Sequence, residues 1–270
     1  MFSLLASATA LILVILVTIL MTILVNGVQG LSFKLIFTAP STEFFYGARP
    51  AIFGTIFLIL GAVAISLPLG LFTAIYLNEY AREGPILTII RQAISNLAAV
   101  PSIIFGLFGY AFFVLILNFG KSMLAAWCTL ACMMLPTIIR TSEEALKNVP
   151  REYREGSMAL GITKWRTIRH VVLPAAAPGI STGVILALGR AAGETAAILF
   201  VGASSLSAGA FTGFLSRFSA LPYQLYLMVV DAPSDTRPIQ WAIALILIII
   251  VFGFNIIAIV IRNRSEAKRR

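Results

Sequence analysis

Six runs of mostly apolar residues, nearly free of charged side chains, divide this chain, and that pattern dictates what it can fold into. Bilayer hydrocarbon is about 30 Å thick, which a helix crosses in about 20 residues. In that solvent each segment has to satisfy its own backbone N–H and C=O groups, so unbroken apolar runs of this length read as helices. They lie at Leu4 to Val25, Ala51 to Leu77, within Gln92 to Gly120, at Ser122 to Ile139, about Ala175 to Val201, and about Ile239 to Ile261. The fifth is interrupted by Arg190 and Glu194. Between Phe211 and Val230 the apolar pieces are broken by Arg217 and Pro222, which predicts a re-entrant or interfacial segment. The first run is about twice as long as a signal-peptide core and no basic residue precedes it, so it reads as a retained helix. The expected fold class is all-α, a polytopic membrane protein of about six transmembrane helices.

Composition closes off the other classes. Only 11% of residues are charged and 59% are apolar, against a charged share of roughly 25% in soluble domains. Disorder and a disulfide scaffold are excluded on the same grounds, since the chain is rich in Leu, Ile, Val and Phe and has two cysteines. The net charge of +9 is a topology signal. Fourteen Lys and Arg fall in the segments Asn78 to Arg91, Arg140 to His170 and after Ile261, whereas the opposite loops hold Lys34, Arg49, Lys121, Arg217 and Arg237. The positive-inside rule makes the first set, with both termini, cytoplasmic. Nucleic acid is therefore not an expected partner.

Chemistry-bearing clusters are scarce. Cys128 and Cys132 sit one turn apart in an apolar helix, and His170, the single histidine, lies in a different segment, so neither a zinc set nor a nucleophile triad forms. The nearest thing to a phosphate-cradling loop, Gly156 to Thr163, lacks the lysine of GxxxxGK[ST] and follows no strand. No enzyme activity and no cofactor are expected; an energy source has to come from another chain.

The longest basic segment reads RTSEEALKNVPREYREGSMALGITKWRTIRHVVLP. Pro150 suits a first helical turn and Gly161 a left-handed helix end. Leu146, Val149, Tyr153, Gly156 and Leu160 recur every three or four residues and would line one face. Thr163 can cap a second short helix carrying Trp165 and Ile168. Such a helix pair either lies on anionic membrane lipid or docks a cytoplasmic partner; Glu143, Glu144, Glu152 and Glu155, which anionic lipid would not favour, speak for docking, but composition does not separate the two.

The run Glu155 to Gly161, EGSMALG, followed after nine residues by Val171, Val172, Leu173 and Pro174, resembles the EAA loop of ABC importer permeases. In that family the loop is a coupling helix seated in a groove of the ATPase subunit. The resemblance implies a coupling role for Tyr153, Glu155, Gly156, Ser157, Ala159, Leu160, Gly161, Leu173 and Pro174. Gly156 and Ser157 stand where alanines are usual, and Gly156 costs up to about 1 kcal/mol of helix propensity. Further stretches, LSFKLIFTAPS, GTIFLILGAVAISLPLGLFTAIYLNEYA, NLAAVPSIIFGLFGYAFF, ILALGRAAGETAAILFVG and ALPYQLY, resemble phosphate-specific permeases of the PstA type. That resemblance spans about Leu31 to Arg262. It implies a type I, MetI-like permease fold, with a first transmembrane helix in 1–30, a permease core in 31–265 holding the coupling loop 140–174, and a basic tail in 266–270. It also implies import of inorganic phosphate across a prokaryotic cytoplasmic membrane by a multi-pass subunit. The implied partners are two copies of an ABC ATPase, a second permease of the PstC type in a heterodimer, and an extracytoplasmic phosphate-binding protein.

Beside that stands the chemistry of GRAAGET. Arg190 and Glu194 are four residues apart, hence expected on one helical face, and each costs roughly 2.5 to 3.5 kcal/mol at mid-membrane. Either they pair and lock packing, or Arg190 offers phosphate oxygens a planar fork while Glu194 limits how tightly the anion binds, with the Thr195 hydroxyl adjacent. Gly189 and Gly193 would let another helix approach. The alternatives are the same machine for sulfate, molybdate or tungstate, or a secondary anion transporter, which needs internal repeats and a coupling-ion site. No repeat is evident.

Overall fold

The computed structural model describes residues 2–39, 47–203, 213–231 and 236–267. All six apolar runs are largely helical, and no extended strand forms among the described residues. In chain order these are α1 (Phe2–Gly30), the short α2 (Phe33–Phe37), α3 (Arg49–Ile75), α4 (Pro85–Ala98), α5 (Ser102–Gly109), α6 (Met123–Lys147), α7 (Arg151–Ala159), α8 (Lys164–Thr167), α9 (Leu173–Ala192), α10 (Ala196–Val201), α11 (Leu221–Asp231) and α12 (Arg237–Ala267). Wider π-helical turns extend α3 through Tyr76–Tyr80, extend α5 through Tyr110–Ile116, and join α8 to α9 through Ile168–Val172.

Five of these runs are long and apolar enough to cross a membrane singly. The third expected span is not one straight helix. It is bent by 99° between Pro85–Ala98 and Ser102–Ile116. Pro101 causes the break: it has no N–H to donate and disfavours helical geometry at the residue before it, and its own backbone is extended at φ −58°, ψ 140°. The fifth expected span is shifted as well. Its helix begins at Lys164, about eleven residues early, and stops at Ala192 instead of running on to Val201. The π turn ahead of Pro174 lets the helix pass a residue that cannot donate, with Leu173 N–H reaching back to the Ile168 carbonyl. As expected, the described residues of 211–230 hold no seventh span, and the eleven-residue α11 runs from there to Asp231. Residues 211 and 212, and 268–270 of the basic tail, lie outside the described residues.

Helix α6 is the hub. Of its most apolar window 61% is buried, against none for α1, which rides on α12 at the edge. Around α6 the core joins Leu58 of α3, Phe105 of α5, Met133, Met134 and Ile138 of α6, and Ile198 of α10. Ser122 starts α6 by accepting the Ala125 N–H at 3.2 Å. A second cluster, Ala74, Ile75, Leu146, Val149, Ile168 and Val172, packs the far ends of α3, α6 and α9 together beneath α7.

Candidate functional site

The loop of 140–174 is built on two devices. Helix α7 follows directly on Pro150, which sits just before the first helical residue instead of inside the first turn. Gly161 takes φ +77°, the left-handed conformation that lets the chain reverse cheaply into α8. Of α7, only Ser157 is fully buried, its hydroxyl 2.9 Å from that of Thr167 on α8, and Arg154 is half-buried.

The face expected from periodicity is divided. Leu146 and Val149 belong to the chain's own core, while Tyr153, Gly156 and Leu160 point outward, Leu160 at 81% exposure. A side chain added at Gly156 would meet none of the described residues within 4 Å. Glu155, Ala159 and Gly161 are exposed too, with Met158, Ile162 and Trp165 beside them. Ser157 therefore stands apart from the other candidates of 153–161: it faces inward and fixes α7 to α8. Leu173 packs into the core under α7, and Pro174 lines a groove of about 660 Å³ together with Asn148, Val149, Tyr153 and His170. Thus Tyr153 and Pro174, far apart in sequence, share one surface.

At the other end of α9, the pairing of Arg190 with Glu194, one of the two readings of their spacing, does not occur among the described residues. The helix ends at Gly193, and the chain turns before α10. Glu194 is buried and its Oε1 accepts the Ala197 N–H at 3.1 Å, satisfying one of the free donors that open α10. Thr195 lies in the turn, half-buried, its hydroxyl 3.5 Å from the Gly193 carbonyl. Arg190 stays on the outside of α9, and no ion pair among the described residues includes it. It shares an exposed stripe with Thr182, Leu186 and Gly193. Among the described residues, neither Gly189 nor Gly193 has a neighbour where a side chain would stand.

The sequence pattern of binding-protein-dependent transport system inner membrane components matches residues 66–270. The chain belongs to that family. It is 37% identical over 230 residues to the phosphate transport system permease protein PstA 1 of Mycobacterium tuberculosis, covering 84% of this chain and 73% of that one. To the phosphate transport system permease protein PstA of Yersinia pestis it is 36% identical over 254 residues, covering 93% and 85%. Among solved structures it superposes on a bacterial ABC transporter involved in import of the acidic polysaccharide alginate, with a TM-score of 0.65 at 13% identity over 96% of this chain and 95% of that one. It also superposes on the MetNI methionine ABC transporter, with a TM-score of 0.60 at 19% identity over 81% and 94%. At such identities the likeness is one of fold. The chain is an all-α, multi-pass permease with the MetI-like fold of ABC importers.

Within this family member, periodicity did not reveal how α7 is held. The Arg154 guanidinium donates to Glu79 at 2.8 Å through Nη2 and 3.2 Å through Nε, and to the carbonyls of Leu146 at 2.9 Å and Val149 at 2.8 Å. A second pair, Arg91 to Glu143 at 2.6 Å, ties α4 to α6, with Glu83 and Lys147 joining it. Lys164 reaches the Glu79 carbonyl and lies 4.7 Å from the Tyr80 ring. The sequence signal was available in the acidic LNEY boundary, but contacts across 75 residues leave no periodic trace.

Proposed function

We propose that this chain is the transmembrane subunit of an ATP-driven importer of inorganic phosphate, working by alternating access. The observation that carries this is one helical run from Lys164 to Ala192, which begins in the exposed loop and ends beside an outward-facing guanidinium. Over 26 residues it links Lys164 to Arg190 across roughly 40 Å. A partner seated on Tyr153, Glu155, Gly156, Ala159 and Leu160 could displace that run as a lever. In this reading the partner is a separate ABC ATPase, two copies per complex, which performs the hydrolysis. A membrane helix can leave Arg190 outside its own bundle if a second permease or a watery pathway covers it, since facing lipid costs roughly 2.5 to 3.5 kcal/mol. We assign the cover to a second permease of the PstC type across Gly189 and Gly193, and the pathway to phosphate delivered by an extracytoplasmic binding protein. The guanidinium can grip two phosphate oxygens at once. Both termini and the 140–174 loop are then cytoplasmic by the charge distribution.

The test is phosphate uptake into vesicles by the full complex. Arg190→Gln should lower it about tenfold or more, the effect of losing charge-assisted hydrogen bonds of roughly 1.5 to 3 kcal/mol, while the ATPase still co-purifies. Normal uptake by that variant would remove Arg190 from the pathway. Uptake competed by sulfate or molybdate in place of phosphate would reassign the substrate.

A further inference from the structure

The Arg154 guanidinium spans three elements. Its planar fork holds the Glu79 carboxylate at the end of α3, caps the Leu146 carbonyl, one of the last four of α6, and reaches the Val149 carbonyl leading into α7. Glu79 is itself nearly buried, its side chain 7% exposed, and is oriented by the Asn78 amide at 2.8 Å. The same short segment carries the Lys164 contact from α8, so both helices of the loop meet the end of α3. The ties are reciprocal: 79–91 gives an acid to Arg154 and takes an acid, Glu143, with Arg91.

We infer that Glu79 and Arg154 form a second route from the coupling helix to the transport bundle, carrying displacement of α7 into α3 independently of the chain's direct continuation into α9. This rests on the proposed coupling role of α7. Arg154 and Glu79 are positioning residues in it, acting through α3 and touching no substrate. If only the continuation into α9 moved, α3 would lag behind. With the pair intact, displacement of α7 enters the end of α3 directly, beside the apolar contact of Ile75 with Leu146 and Ile168.

The experiment uses the complete complex in proteoliposomes and measures phosphate moved per ATP hydrolysed for Glu79→Ala, Arg154→Gln and the double variant. The expected result is that each single change lowers this ratio about tenfold, within the usual range of coupling between sites. Hydrolysis and ATPase co-purification should persist, and the double variant should match the worse single, because the two groups act through one contact. An unchanged ratio overturns the inference, as does transport and hydrolysis falling together, which marks a merely structural pair, or losses that multiply in the double variant. Should Arg154→Gln fail to assemble, Glu79→Ala breaks the same link while leaving the carbonyl contacts of Arg154 intact, and its ratio decides. A wild-type complex without ATP-driven phosphate uptake would instead count against the proposed function.

Discussion

Glu194 caps α10 through the Ala197 N–H at 3.1 Å, and Arg190, four residues earlier, points away from it. Two charges that would share a face of a continuous helix are separated because the helix stops at Gly193 between them. The break assigns them different work: the carboxylate stabilises the chain's own interior, and the guanidinium is left for something outside it.

Substitutions at Glu194 should follow the cap. Glu194→Gln keeps an acceptor oxygen at the Ala197 N–H and should leave the thermal midpoint of the detergent-purified protein nearly unchanged. Glu194→Ala leaves that donor open and should cost about 1 kcal/mol, the usual value of a lost cap. Equal destabilisation by both would mean that the charge, and not the hydrogen bond, holds α10.

Two glycines should respond in opposite ways. A Cβ at Gly54 would stand 1.9 Å from the Ser219 carbonyl oxygen, a backbone atom that cannot rotate aside. Gly54→Ala should therefore lose about 1 to 3 kcal/mol or more through overpacking, seen as poor yield and a lowered midpoint. Gly156→Ala meets open space and should stabilise α7 by up to about 1 kcal/mol. Gly156→Trp should leave the isolated subunit folded yet detach the ATPase; retained co-purification would place docking elsewhere.

Fold class was legible because it follows from long-range solvent physics: six apolar runs in a bilayer have few alternatives. The Gly161 turn was legible because one residue type serves it. Less visible were the two breaks. Pro101 lies in a stretch as apolar as its neighbours, so hydropathy joined α4 to α5 and missed the 99° bend. The end of α9 was obscured in the same way, since Arg190 and Glu194 satisfy helical spacing whether or not Gly193 ends the helix. Face assignment in 140–174 was partly misread because the periodic stripe crosses Pro150: Leu146 and Val149 precede the turn and pack inward, while Tyr153 and Leu160 follow it on a differently oriented helix. Partnerships such as Arg154 with Glu79 depend on which helix ends meet, and that is a property of the assembled bundle.

Ser157 illustrates the difference between a coupling residue and one that supports it. Its hydroxyl and that of Thr167 lie 2.9 Å apart, both buried, so each satisfies the other. Thr167→Val preserves shape but strands the Ser157 hydroxyl, which should cost about 1 to 3 kcal/mol. Adding Ser157→Ala removes the stranded group and should recover most of that loss, because replacing both partners with apolar groups is nearly neutral. The measurement is the thermal midpoint of the subunit alone, with ATPase co-purification as a second readout. Recovery of both together would show that Ser157 serves docking by holding α7 against α8. Recovered stability without recovered docking would instead show that the ATPase reads the Ser157 hydroxyl itself, and would move that residue to the outer face.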